Sequence, residues 1–87
     1  MTLPTIHLNG TSVEALGEAN EQAYQALQLA MSALTQAGPN GRDYYPQAGA
    51  MDKAVDEHCD RMRRLKSVLD ELGEMGEYLA KEEMKRK

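Results

Sequence analysis

Two long stretches of the chain carry apolar or small residues at intervals that alternate three and four, and a short segment rich in Gly, Pro and Tyr separates them. In the first stretch the positions are Val13, Leu16, Asn20, Ala23, Leu27, Ala30, Leu34 and Ala37. In the second they are Met51, Val55, His58, Met62, Leu65, Leu69, Leu72, Gly76 and Leu79. This spacing is the seam of an amphipathic helix with coiled-coil character. Ala19, Ala26, Leu29, Met31 and Ala33 widen the first apolar surface beyond one stripe, so more than one neighbour is expected to cover it.

Local signals bound the helices. Thr11-Ser12-Val13-Glu14 reads as a capping box, with Thr11 accepting from the Glu14 backbone and Glu14 reaching back. Gly38 then Pro39 is the order of a glycine C-cap followed by a breaker. The first helix is thus expected over 11–37 and a loop over 38–49. The second helix, running to 84, opens between 43 and 50: either Asp43 caps it with Pro46 in its first turn, or the chain stays irregular until Ala50. A start near Gln47 is favoured. Gly73 and Gly76 cost helix propensity and mark either a kink or the close approach of another helix. The charged end, 81–87, is expected to fray. Residues 4–9 alternate Ile6 and Leu8 with polar neighbours and read as one extended segment. It must pair with its copy in a second subunit or lie against the helices, because its backbone polar groups need partners.

Two helices joined by a short loop pack antiparallel. At about 1.5 Å per residue the first is near 40 Å and the second somewhat over 50 Å, so the second overhangs and brings Tyr78 and Leu79 beside the N-terminal segment. The expected fold is all-α: one domain over 1–87, an antiparallel two-helix hairpin with a short extended N-terminus (1–10). Eighty-seven residues without Trp or Phe make a thin core, which leads to the expectation of a dimer or higher homo-oligomer forming a helical bundle.

Charge and cysteine content narrow the field. A net charge of −4 disfavours generic nucleic-acid binding. All ten basic residues fall from Arg42 onward, whereas residues 1–41 hold only Glu14, Glu18 and Glu21 as charged side chains. Cys59 is the single cysteine, so no internal disulfide forms. The first seven residues lack the basic and apolar runs of a secretory signal, and no apolar run reaches the roughly 20 residues of a membrane span. A cytoplasmic protein with no membrane partner is the expectation.

Candidate chemistry is sparse. His58 and Cys59 are adjacent, so on a helix they point about 100° apart and do not grip one ion together. No metal-ligand spacing, nucleophile elbow or phosphate loop occurs, so no catalytic residue, metal or cofactor is assigned. Arg61, Arg63, Arg64 and Lys66 lie among acids and read as a salt-bridged surface. The loop carries more. Arg42 offers five planar donors for phosphate or carboxylate, and Tyr44 and Tyr45 offer stacking faces and hydroxyls. With Asn40 and Asp43 they form the candidate ligand- or partner-binding set; the competing reading is structural, with Asp43 paired to Arg42 and the tyrosines plugging the bundle's end.

Two stretches, Thr5-Ile6-His7-Leu8-Asn9-Gly10-Thr11-Ser12 and Pro39-Asn40-Gly41-Arg42-Asp43-Tyr44-Tyr45-Pro46-Gln47, resemble a family of small uncharacterised tailed-phage and prophage helical proteins. The similarity covers most of residues 5–80. It implies a phage or prophage origin and a bacterial cytoplasm, and brings no catalytic role with it. The expected function is a non-enzymatic accessory protein that binds a ligand or a host or phage protein, as in counter-defence. One alternative is a binder of a nucleotide-type signal molecule through the Arg/Tyr loop; another is a structural or assembly component of the phage particle.

Overall fold

Three helices make up the regular structure in the computed structural model, which describes residues 1–86: α1 over Val13–Gln36, α2 over Gly41–Tyr44 and α3 over Ala50–Lys85. No strand occurs among the described residues. The partners across the hairpin fall in number along α3 as they rise along α1. Asn20 meets Gly76, Tyr24 meets Gly73, Thr35 meets Met62, and Gly38, just past α1, meets His58. The two long helices therefore pack antiparallel.

The α1 cap lies one residue later than the capping box suggests. Ser12 has extended backbone (φ −61°, ψ 152°), and its hydroxyl accepts from the Ala15 N–H at 3.1 Å. Serine is the better N-cap of the two hydroxyl residues available there. At the other end Ala37 closes α1 with its N–H shared between the Ala33 and Leu34 carbonyls. Gly38 is not left-handed. What its missing side chain provides is room, since a Cβ there would rest 3.4 Å from the His58 ring nitrogen.

The loop contains a helical turn of its own. Asn40 caps α2, its side-chain oxygen accepting from the Arg42 N–H at 2.9 Å. The chain then steps through turns, Gln47 N–H to the Tyr44 carbonyl and Ala50 N–H to that of Gln47. Gly49 sits at φ 73°, the one left-handed residue among those described and a conformation glycine adopts without strain. That reversal keeps α3 from extending back to Gln47, so the helix opens at Ala50.

The α1 seam is rotated from the one the spacing predicts. Ala23, Ala30 and Ala37 are exposed, while Tyr24 and Met31, each one residue further on than Ala23 and Ala30, are half-buried. The larger side chains turn toward α3, and Tyr24 lies over Gly73, where a Cβ would stand 3.7 Å from its ring. Gly76 serves a second purpose. The Asn20 amide donates to the Leu72 carbonyl at 3.0 Å, and a Cβ at position 76 would stand 3.2 Å from that amide nitrogen. The glycines thus mark close approach, and α3 runs unbroken through both.

The N-terminal segment forms no strand. It lies along the overhang of α3, where the Tyr78 hydroxyl donates to the Pro4 carbonyl at 2.6 Å and Arg86 to the Ile6 carbonyl at 3.4 Å. Ile6 is half-buried, but Leu8 is 99% exposed in a turn closed by Gly10 N–H on the His7 carbonyl. The charged end does not fray before Lys85; Arg86 caps α3 on the Glu83 and Met84 carbonyls.

The interior is thin. Only Val13, Ala54 and Leu79 are buried among the described residues, and the seam leucines are half-buried. The molecule measures 62 × 20 × 18 Å with a radius of gyration of 18.8 Å; a rounded domain of this length has about 12 Å.

Candidate functional site

The five loop residues singled out by sequence come together on α2 and its two caps. Successive residues on a helical turn point about 100° apart, so Arg42 and Tyr45, three apart, share one side. Both are exposed, Tyr45 to 83%. Tyr44 is the half-buried side chain of the group, and α2 rests on α3. The oxygen of Asn40 is committed to capping. Asp43 is exposed and makes no ion pair with Arg42 among the described residues. The structural reading of the loop therefore applies to Asn40 and Tyr44. Arg42 and Tyr45 are left presenting a planar guanidinium beside an aromatic face, a combination that suits a phosphate or carboxylate attached to a flat group.

Other candidates disperse. His58 is half-buried against Gly38 and Cys59 is an exposed free thiol. His7 folds over Gly10 at the opposite end of the hairpin; a Cβ at Gly10 would come within 2.9 Å of its ring. Among the described residues no three His, Cys, Asp or Glu side chains are grouped to hold a metal ion. In the basic patch, Arg63 and Arg64 both reach Asp60, at 3.3 and 3.0 Å, and Lys66 reaches Asp70 at 2.6 Å. These exposed pairs are worth a few tenths of a kcal/mol each, about what such pairs give elsewhere. Arg61 has no ion pair among the described residues.

Sequence reasoning missed an open groove of about 510 Å³ between α1 and α3, whose walls include Leu3, Leu16, Ala23, Leu72, Met75 and Leu79. A signal for it was present. The alanines displaced from the α3-facing seam are evenly spaced along a face of α1 that carries no polar residue.

Compared with models of known protein families, with curated proteins and with solved structures, the chain finds no match in any of the three. Among the described residues no helix is long and apolar enough to cross a membrane.

Proposed function

We propose that the protein is a non-enzymatic binding protein, a phage or prophage accessory factor of the bacterial cytoplasm. In this reading it holds a host or phage protein, or a small ligand, through the α2 turn, on a scaffold built from more than one copy of the hairpin. The observation that carries this is Arg42: an exposed side chain, without an ion pair among the described residues, three residues from the exposed Tyr45 on a turn fixed by its own Asn40 cap. Arginine and tyrosine are the residue types that dominate binding hot spots. Tagged protein recovered from phage-infected bacteria should bring down a partner that Arg42→Ala and Tyr45→Ala proteins, still fully helical by circular dichroism, do not. Equal recovery by wild type and both variants would remove the turn from the function.

The shared side of Arg42 and Tyr45 also favours a second reading, a nucleotide-type signal molecule with its phosphate on Arg42 and its base stacked on Tyr45. A thermal-shift series with mono- and cyclic nucleotides tests it. A midpoint that rises with ligand in wild type and not in Arg42→Ala supports it, and a flat series eliminates it.

A further inference from the structure

One long side of the hairpin is apolar along α1, with Arg61 and Arg64 of α3 at its loop-end border. On α1, about 100° of the helix circumference beside the α3-facing seam is occupied only by alanine and leucine, and Ala15, Ala19, Ala23, Ala26, Ala30 and Ala33 on it are all exposed. On α3 the adjoining strip is Leu65, Val68, Leu72 and Met75. The open groove runs between the two strips at the terminal end, and a second hollow, lined by Leu34, Leu65 and Val68 together with Arg61 and Arg64, continues it toward the loop. The area is informative. The chain exposes 6574 Å², whereas a rounded monomer of its mass exposes about 5,100 Å². The excess, roughly 1,500 Å², falls within the roughly 1,000–2,500 Å² that each copy contributes to an obligate homodimer.

We infer that this side is the interface with a second copy of the chain, packed so that α1 of each copy lies over α3 of the other and the two α2 turns stand at the same end. The inference rests on the reading above that more than one copy is at work, and it names the surface and the orientation. Two features argue for this orientation. It sets the small side chains of α1 against the large ones of α3, so the layers interdigitate, whereas α1 over α1 would oppose alanine to alanine and leave α3 opposing bulk to bulk. It also brings Arg61, on the rim beside Leu34, next to the C-terminal carbonyls of the second copy's α1, whose last turn has no basic residue. A cation is favourable there. The result is a four-helix bundle whose loop end carries two copies of Arg42 and Tyr45, so one ligand or partner meets both turns at once.

Native mass spectrometry should give twice the 9.7 kDa chain mass. Ala26→Glu and Val68→Glu, each placing a charge on the face, should lose the dimer, and Ser32→Glu on the polar side of α1 should keep it. Should the face variants unfold, the wild-type protein still decides. Dilute peroxide should oxidise the half-buried Met75 faster as the protein is diluted, while the rate at Met84, 74% exposed, stays the same. For orientation, spin labels at position 45 (Tyr45→Cys in a Cys59→Ser background) should lie within about 35 Å, the width of two helix layers with the labels. A monomeric wild type, or a dimer that tolerates both face variants with a Met75 oxidation rate that does not change on dilution, overturns the interface. A label separation near the 62 Å length of the hairpin overturns the orientation. The partner-capture assay reads Arg42 and Tyr45 independently. Capture unaffected by their loss, in a protein that is still a dimer, refutes the proposed site and leaves the interface standing.

Discussion

At the end where the chain terminates, Arg86 donates to the Glu82 carboxylate at 2.7 Å and to the Ile6 carbonyl at 3.4 Å, and Tyr78 donates to Pro4. At the opposite end Arg42 and Tyr45 have the same chemical groups and are exposed. The residue types are nearly alike, but their uses differ. One arginine–tyrosine pair is consumed in strapping the N-terminal segment to the α3 overhang; the other is held out by a capped turn. Composition therefore does not tell the two ends apart, and their hydrogen bonds do. The terminal end should respond to mutation with stability, the loop end with binding.

The largest effect is expected from Leu79→Ala. Leu79 is 3% exposed and is one of three buried residues among those described. Truncating a buried leucine costs about 2–4 kcal/mol, a large share of the roughly 4–13 kcal/mol a chain of this length commands. Urea unfolding should show the midpoint falling by that amount, and a shift of less than about 1 kcal/mol would mean the terminal end is not where the hairpin is closed. Tyr78→Phe comes next, removing one part-buried hydrogen bond at a cost of about 1 kcal/mol. Its signature is local: backbone NMR order parameters of residues 3–7 should fall while those of α1 and α3 stay unchanged.

Two glycines sharpen the comparison from within the helices. Gly17 has nothing within 4 Å of a would-be Cβ, so Gly17→Ala should raise stability by about 0.5–1 kcal/mol. Gly76→Ala gains the same propensity but crowds Asn20, whose hydrogen bond to Leu72 is worth a similar amount. Its net effect in thermal unfolding should be near zero, and a full gain would show that the Asn20 bond contributes nothing. At the loop end, Arg42→Ala and Tyr45→Ala should leave the unfolding midpoint within about 0.5 kcal/mol of wild type while abolishing capture.

Much of this architecture was legible because helix signals are local. The three-four spacing predicts two long helices, and their unequal lengths place Tyr78 and Leu79 beside the N-terminal segment. What sequence could not resolve depended on side-chain size and on choices between near-equivalents. Ser12 competes with Thr11 for one cap. Tyr24 and Met31 take the α3-facing positions in place of Ala23 and Ala30, with Tyr24 against Gly73, a pairing across the gap that no single-helix pattern encodes. The alternation of Ile6 and Leu8 suggests a strand, yet a segment this short finds better partners in Tyr78 and Arg86. Of the site, the cluster on the loop was legible from Gly, Pro, Arg and Tyr together. The division between structural Asn40 and Tyr44 and presented Arg42 and Tyr45 needed the turn of α2.

The smallest expected effect is a pH dependence confined to the terminal end. Hydrogen bonds from Arg86 and then Lys85 hold the Glu82 carboxyl below its ordinary pKa. A carboxylate whose pKa is lower in the folded chain than in the unfolded one binds fewer protons when folded. Its contribution is therefore complete above the ordinary carboxylate pKa and is lost as pH falls through the lowered value. Protonating Glu82 weakens its hold on Arg86, which keeps its bond to the Glu82 backbone carbonyl and also reaches Ile6, so the strap should loosen at acid pH while α2 keeps its Asn40 cap. Backbone NMR shifts of Ile6 and Arg86 followed through acid titration should move together, with a midpoint below the ordinary carboxylate value. Glu82→Gln should remove that step and show the loosened strap already at neutral pH. A strap equally ordered in wild type and Glu82→Gln would mean that Tyr78 alone ties the N-terminal segment down.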